Sequence, residues 1–269
     1  MIDLICSYIL FSSLMLAFAS YFVRCVLVGR PSSKRLEGVE RTFLGHTIME
    51  AAYWWFEPMV GFLRWLHVSP NMVTGASLLP MLGAAVAVAL GHFGIAAVLA
   101  IAGSFCDLLD GVLARRQGTS SAAGEVFDAA VDRYAEFFVL AGIIVFSRNR
   151  LPMMLLALAA LLGSFMVSYG TAKAEAMDVE PPKGAMRRAT RSVYILCGMS
   201  FVPCWYAWSG VTWPSFLREA PLTLSLAIVA VVTNVSSIRR FYLTAQRTRE
   251  PRSAPALPPS TANQPVLVR

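Results

Sequence analysis

Charge is scarce in this chain, and that scarcity is the first constraint on what it is. Asp, Glu, Lys and Arg make up 14% of the 269 residues against 57% hydrophobic residues, and the mean hydropathy is +0.59. A soluble domain does not carry that balance, whereas several uncharged runs approach the roughly 20 residues that cross a bilayer as helix. The chain also lacks any module of basic residues interleaved with aromatics. Its net charge of +7 therefore belongs to cytoplasmic loops rather than to a nucleic-acid surface, and no nucleic-acid partner is expected. Metal-binding cysteine spacing is missing as well. Cys6, Cys25, Cys106, Cys197 and Cys204 are odd in number and lie in or beside apolar runs, which leaves them reduced and structural. His46 and His67 stand isolated, and no short-period repeat is present.

What is there is a series of apolar spans. The first covers residues 3–28. It starts with Asp3 rather than a basic cluster, and Arg24, Arg30, Lys34 and Arg35 come at and after its end. That pattern describes a retained anchor with its N-terminus outside, not a cleaved leader. Residues 29–70 alternate charge with aromatics, and Tyr53, Trp54, Trp55, Phe56 and Trp65 suit a helix lying at the headgroup level. Six more spans follow, at about 71–90, 95–114, 124–146, 151–172, 192–208 and 221–238. Ser69 or Asn71 with Pro70 opens the first of these six, and 91–94 forms a tight outer turn. Arg148 and Arg150 fall in an outer turn against the charge rule, while Trp213 suits the outer interface. Residues 251–269, rich in Pro, Ser and Ala, read as disordered. The expectation is an all-α, polytopic membrane helix bundle in four parts: an anchor (1–28), an interfacial segment (29–70), a six-helix domain (71–243) and a disordered cytoplasmic tail (244–269).

Against this apolar background, four aspartates crowd into residues 107–132, DLLDGVLARRQGTSSAAGEVFDAAVD. Ionisable groups at membrane depth are costly and mark function. Steps of three and four residues place Asp107 with Asp110, and Asp128 with Asp132, on common helix faces. The two helices are joined by the short loop 116–123 and run antiparallel, so the pairs converge near one end. Such carboxylates must be protonated or bind cations, and an all-oxygen set selects Mg²⁺, Mn²⁺ or Ca²⁺. Gly111, Ala114 and Gly124 remove bulk beside them, Arg115 offers a fixed cation, and Ser120 and Ser121 can donate to phosphate. The ensemble suits a metal-bound pyrophosphate.

The pattern D-x2-D-G-x2-A-R-x8-G-x3-D-x3-D resembles the signature of the CDP-alcohol phosphotransferase family at all eight fixed positions: Asp107, Asp110, Gly111, Ala114, Arg115, Gly124, Asp128 and Asp132. At average residue usage a chance match is on the order of 10⁻⁸. The resemblance covers the six spans from about 71 to 238, so the first span would be an extra N-terminal helix beside the family's six-helix core. It implies transfer of a substituted phosphate from a CDP-lipid to a hydroxyl, with CMP leaving. It implies Asp107, Asp110, Asp128 and Asp132 as ligands to Mg²⁺ or Mn²⁺, and Asp132 also as the base that deprotonates the acceptor. Gly111, Arg115 and Ser121 would meet the cytidine diphosphate, and Asn71, Met72, Val73 and Thr74 match a family segment at the nucleotide pocket. A homodimer is implied too, while the Lys and Arg residues, most of which fall on the side that holds the four aspartates, put the site on the cytoplasmic side of the cytoplasmic (inner) membrane.

The end of the span at 151–172 and the region after it resemble phosphatidylinositol-phosphate synthases, through Ser168, Tyr169, Ala172, Lys173, Ala174, Glu175, Arg188 and Arg191. By that likeness Lys173, Arg188 and Arg191 would hold an acceptor phosphate. The chain departs from those synthases at Arg187 and Thr190, where they carry acidic residues, and at Thr171, where they carry a basic one. The expected reaction is phosphatidyl transfer from CDP-diacylglycerol, or a related CDP-lipid, to a small polyol or polyol phosphate resembling inositol phosphate. Glycerol 3-phosphate is the rival acceptor. A divalent-cation transporter would use the same carboxylates but gives no reason for Gly111, Ala114, Arg115 and Gly124.

Overall fold

A computed structural model of the chain describes residues 1–28, 58–119, 121–182, 184, 186–209 and 217–249. The elements are helices: α1 (Ile2–Val28), α2 (helical over 58–65), α3 (Pro70–Ala89), α4 (Phe93–Gln117), α5 (Ala122–Phe146), α6 (Leu151–Glu175), α7 (Arg188–Ser209) and α8 (Ala220–Arg249). No strand occurs among the described residues. All seven expected spans coincide with long helices. Five of these, α1, α3, α4, α6 and α8, are long and apolar enough to cross a membrane. The other two, α5 and α7, carry Asp128, Asp132, Arg188 and Arg191, while Asp107 and Asp110 lie on α4.

The start of α3 falls where the sequence suggests, whereas α4 runs past 114 and α5 starts before 124. The Ser69 hydroxyl accepts from the Met72 N–H at 3.3 Å, with Pro70 in the first turn of α3. Gly118 ends α4 in the left-handed conformation at φ 65°, and Ser121 caps α5 by accepting from the Gly124 N–H at 3.1 Å. At its far end the last helix reaches Arg249, so residues 244–249, expected in the tail, are helical. The rest of the tail, Trp213, Ser120, Lys183 and the aromatic cluster 53–56 lie outside the described residues. Trp65, on α2, is exposed, while Val60 on the same helix is buried against Val73, Leu109, Val112 and Leu113. That division suits a helix with one face on the bundle and one on lipid.

In the bundle α3 packs on α4 and α5, α6 and α7 on α8, α4 on α7, and α5 on α6. Lipid provides no hydrophobic drive between helices, so close backbone approach and polar contacts have to do the work. A Cβ at Gly142 of α5 would stand 2.8 Å from the Ala85 Cα of α3, and one at Gly163 of α6 would stand 2.6 Å from the Asn234 amide of α8. Asn234 in turn donates to the Ala159 carbonyl at 2.8 Å, across the α6–α8 contact.

Two polar clamps hold the end of the bundle remote from the aspartates. The sequence assigns no task to α1 beyond anchoring, yet the Asp3 carboxylate accepts from the N–H groups of Gly94 (3.1 Å) and Ile95 (3.3 Å) and meets His92 Nδ1 at 2.9 Å. The α4 N-cap residue, His92, makes no side-chain cap of its own; a carboxylate from α1 satisfies the exposed N–H groups instead. Arg150 pairs with Glu219, which is 2% exposed and also accepts from the Tyr206 hydroxyl at 2.5 Å. Of the two arginines that break the charge rule, Arg150 is thereby neutralised inside the protein, while Arg148 is exposed.

Candidate active site

The opposite end of the bundle brings together the C-terminus of α4 and the N-termini of α3, α5 and α7. The Gln117 amide donates to the Val68 carbonyl at 3.1 Å and ties the end of α4 to the approach of α3. Asn71 stands beside Gly124, where a Cβ would lie 3.6 Å from its Oδ1. Only a short loop separates α4 from α5, so the two aspartate pairs face each other.

Asp107, Asp110 and Asp128 each present one carboxylate oxygen, and the three oxygens lie within 4.8 Å of one another. That spacing allows all three to reach one hard cation at about 2.0–2.6 Å. Asp110 is buried and accepts from the Thr74 hydroxyl at 2.5 Å. Of the remaining carboxylate oxygens, Asp128 Oδ1 and Asp132 Oδ1 are buried without a hydrogen-bond partner. Orphaned anionic oxygens beside a converging carboxylate triad fit a divalent cation and a proton-accepting task. Asp132 is not one of the tightest three. Its Oδ2 is held by Arg188 Nη1.

Arg188, the first residue of α7, bridges the two aspartate helices. Its Nη2 lies 3.2 Å from Asp107 Oδ1 and its Nη1 3.3 Å from Asp107 Oδ2. Arg191 behaves differently from its expected role at an acceptor. It is 1% exposed, and its guanidinium forks onto Glu136, Nε to Oε1 at 2.8 Å and Nη2 to Oε2 at 3.1 Å. Arg133 approaches the same carboxylate at 3.7 Å. An arginine so committed does not stand open to a phosphate. Sequence reasoning missed Glu136, although the signal was there: Asp128, Asp132 and Glu136 recur every four residues on one face of α5.

The other expected contacts divide. Of Asn71, Met72, Val73 and Thr74, only Thr74 meets an aspartate, through its bond to Asp110; Asn71 is exposed beside Gly124, Val73 belongs to the core under α2, and Met72 is exposed. The Arg115 guanidinium lies over Gly111, with Nη1 3.5 Å from where a Cβ would be. The Ser121 oxygen accepts as a cap, which leaves its O–H to donate. Lys173 is exposed in the last turn of α6. Thr171, standing where a basic residue was expected, accepts from Arg240 of α8, and Arg240 also donates to the Val167 carbonyl at 3.3 Å. A basic group thus reaches that place from another helix. All five cysteines are unbonded, as expected.

A family model described as CDP-alcohol phosphatidyltransferase matches residues 67–235. A phosphatidylinositol phosphate synthase of Mycobacteroides abscessus is 31% identical over 137 residues, 49% of this chain and 60% of that protein. An archaetidylinositol phosphate synthase of Methanothermobacter thermautotrophicus is 33% identical over 128 residues, 48% of this chain and 64% of that protein. The matched stretch is thus under two thirds of either relative. The crystal structure of Mycobacterium tuberculosis phosphatidylinositol phosphate synthase with CDP-DAG bound shares the fold, with TM-score 0.60 at 24% identity over 70% of this chain and 92% of that one. The same synthase in complex with manganese and citrate gives TM-score 0.61 at 23% identity, over 70% and 88%.

Proposed function

The chain belongs to the CDP-alcohol phosphatidyltransferase family, and from that premise we propose that it moves a phosphatidyl group from CDP-diacylglycerol, or a related CDP-lipid, to a hydroxyl of an inositol-phosphate-like acceptor. The observation that carries this reading is the facing pair of helices, with three converging carboxylates and a fourth, Asp132, whose Oδ1 is buried and unpartnered. Asp107, Asp110 and Asp128 would hold Mg²⁺ or Mn²⁺, which would neutralise charge on the pyrophosphate. Arg188 fixes one oxygen of Asp132 and leaves the other to take the acceptor's proton. The acceptor oxygen then attacks the lipid-side phosphorus, the bond from that phosphorus to the oxygen of CMP breaks, and CMP leaves with the electron pair. Positioning carries most of such a step, since phosphoryl transfer requires little covalent help from protein. Gly111, Arg115, Ser121, Asn71 and Thr74 are assigned to the cytidine-diphosphate side.

Two relatives are named as synthases, one of phosphatidylinositol phosphate and one of archaetidylinositol phosphate, which supports a phosphorylated inositol over glycerol 3-phosphate as acceptor. In this reading the protein works in the cytoplasmic membrane as a homodimer, with its aspartates on the cytoplasmic side. That side is also where α1, capping the remote end through Asp3, brings the basic residue Arg24. The 71–243 unit is the catalytic domain. To test the reading, purified protein with Mg²⁺ and CDP-diacylglycerol is offered inositol 1-phosphate, glycerol 3-phosphate, inositol and serine in parallel. A lipid product with inositol 1-phosphate alone is expected. A product with glycerol 3-phosphate keeps the reaction and discards the acceptor. Product with none discards both.

A further inference from the structure

Arg188 and a divalent cation lay claim to the same carboxylate. Asp107 belongs to the triad whose oxygens converge within 4.8 Å, yet both of its oxygens accept from the Arg188 fork, at 3.2 and 3.3 Å. Two like charges cannot share one aspartate at close range without mutual cost. Arg188 is also placed to move. Its side chain is 28% exposed, it occupies the first position of α7 directly after a loop, and a cavity of about 40 Å³ beside it is lined by Ser104, Glu136 and Ser192 among others. Arg191, one turn on, is fixed in the interior by Glu136 and has no such freedom.

We propose that Arg188 is an exchangeable counter-ion that couples cation loading to acceptor capture. This rests on the reading of Asp107, Asp110 and Asp128 as a cation site. When the cation takes Asp107, the guanidinium fork is released from that carboxylate, keeps its hold on Asp132, and turns its freed N–H groups to the phosphate of the incoming acceptor. A planar fork suits a phosphate monoester as well as it suits a carboxylate. Cation and phosphorylated acceptor then strengthen each other's binding, and the coupling is reciprocal.

The test uses the full chain in detergent and measures Mn²⁺ binding from the paramagnetic resonance signal of free Mn²⁺. Removing a competing pair of charge-assisted hydrogen bonds should tighten Mn²⁺ binding about ten-fold in Arg188→Gln. Inositol 1-phosphate should tighten Mn²⁺ binding several-fold in the wild type and leave it unchanged in Arg188→Gln. A residue that merely organised the aspartates would give the opposite sign, with weaker Mn²⁺ binding in the variant. Weaker or equal binding overturns the proposal, and so does coupling to inositol 1-phosphate that survives in Arg188→Gln. Should the Gln variant not fold, Arg188→Met, which removes the fork and the charge together, is read by the same signs. Absence of Mn²⁺ binding in the folded wild type overturns the cation site itself, and with it the function proposed above. Normal Mn²⁺ binding of the wrong sign overturns the exchange alone.

Discussion

The pair formed by Arg191 and Glu136 makes a quantitative prediction possible, because both side chains are almost fully removed from solvent, at 1% and 6% exposure. Removing one partner of a buried, hydrogen-bonded ion pair costs about 3–5 kcal/mol, since the other charge is left uncompensated. The two losses should not be equal. Glu136→Gln leaves two cations facing a neutral amide, Arg191 within 3.1 Å and Arg133 at 3.7 Å. Arg191→Met leaves Glu136 with Arg133 still nearby. Glu136→Gln should therefore be the worse of the two. In a chain of this size each kcal/mol moves the midpoint by roughly 2–4 °C, so a fall on the order of 10 °C is expected in a thermal melt of the detergent-solubilised protein. The double variant Arg191→Met/Glu136→Met removes both charges and should recover most of that loss. CMP release measured on the double variant then separates a packing role from an acceptor role. Its KM for the phosphorylated acceptor should shift by less than about three-fold if Arg191 never meets the acceptor. A single Arg191→Met variant as stable as wild type would refute the reasoning. A stable double variant with acceptor KM raised a hundred-fold or so would return Arg191 to the acceptor pocket.

Three further outcomes follow from the site and the clamps. Asp132→Asn should retain CDP-lipid binding better than Asp107→Asn while losing turnover; equal loss of binding in a titration of both variants would remove the distinction between base and ligand. Thr74→Val deletes the 2.5 Å hydrogen bond to Asp110, worth about 1.5–3 kcal/mol for a charged acceptor, and should weaken Mn²⁺ binding about ten-fold in an equilibrium titration. Asp3→Ala strips the cap from α4 at a cost of about 0.5–2 kcal/mol; a melt should show a drop of a few degrees, with the acceptor KM unmoved.

The architecture was legible because lipid imposes a strong rule on sequence. Spans must be long and apolar, and α5 departs from this for the site, through Asp128, Asp132 and Glu136. The aspartate pairs were equally legible, since helical spacing fixes which side chains share a face. Contacts between distant segments were not. Nothing in the local pattern says that Asp3 reaches the N-terminus of a helix some ninety residues on, or that Arg150 is matched by a buried Glu219. Arg188 and Arg191 are three residues apart and look alike in sequence. The fold gives them separate partners: Arg188 sits at the open joint of α7 against Asp107 and Asp132, and Arg191 sits one turn inside against Glu136. Arg240 reaching Thr171 shows the same limit, because a basic residue absent at one position is supplied by another helix.

The most direct measurement is the stoichiometry of transfer. Purified protein with Mn²⁺, CDP-diacylglycerol and inositol 1-phosphate is followed for CMP and for the phosphorylated inositol lipid, with and without a chelator. Equal amounts of CMP and lipid product are expected, both abolished by the chelator and by Asp132→Asn. A folded protein that binds Mn²⁺ and CDP-diacylglycerol, yet releases no CMP with any phosphorylated polyol, would contradict the proposed reaction.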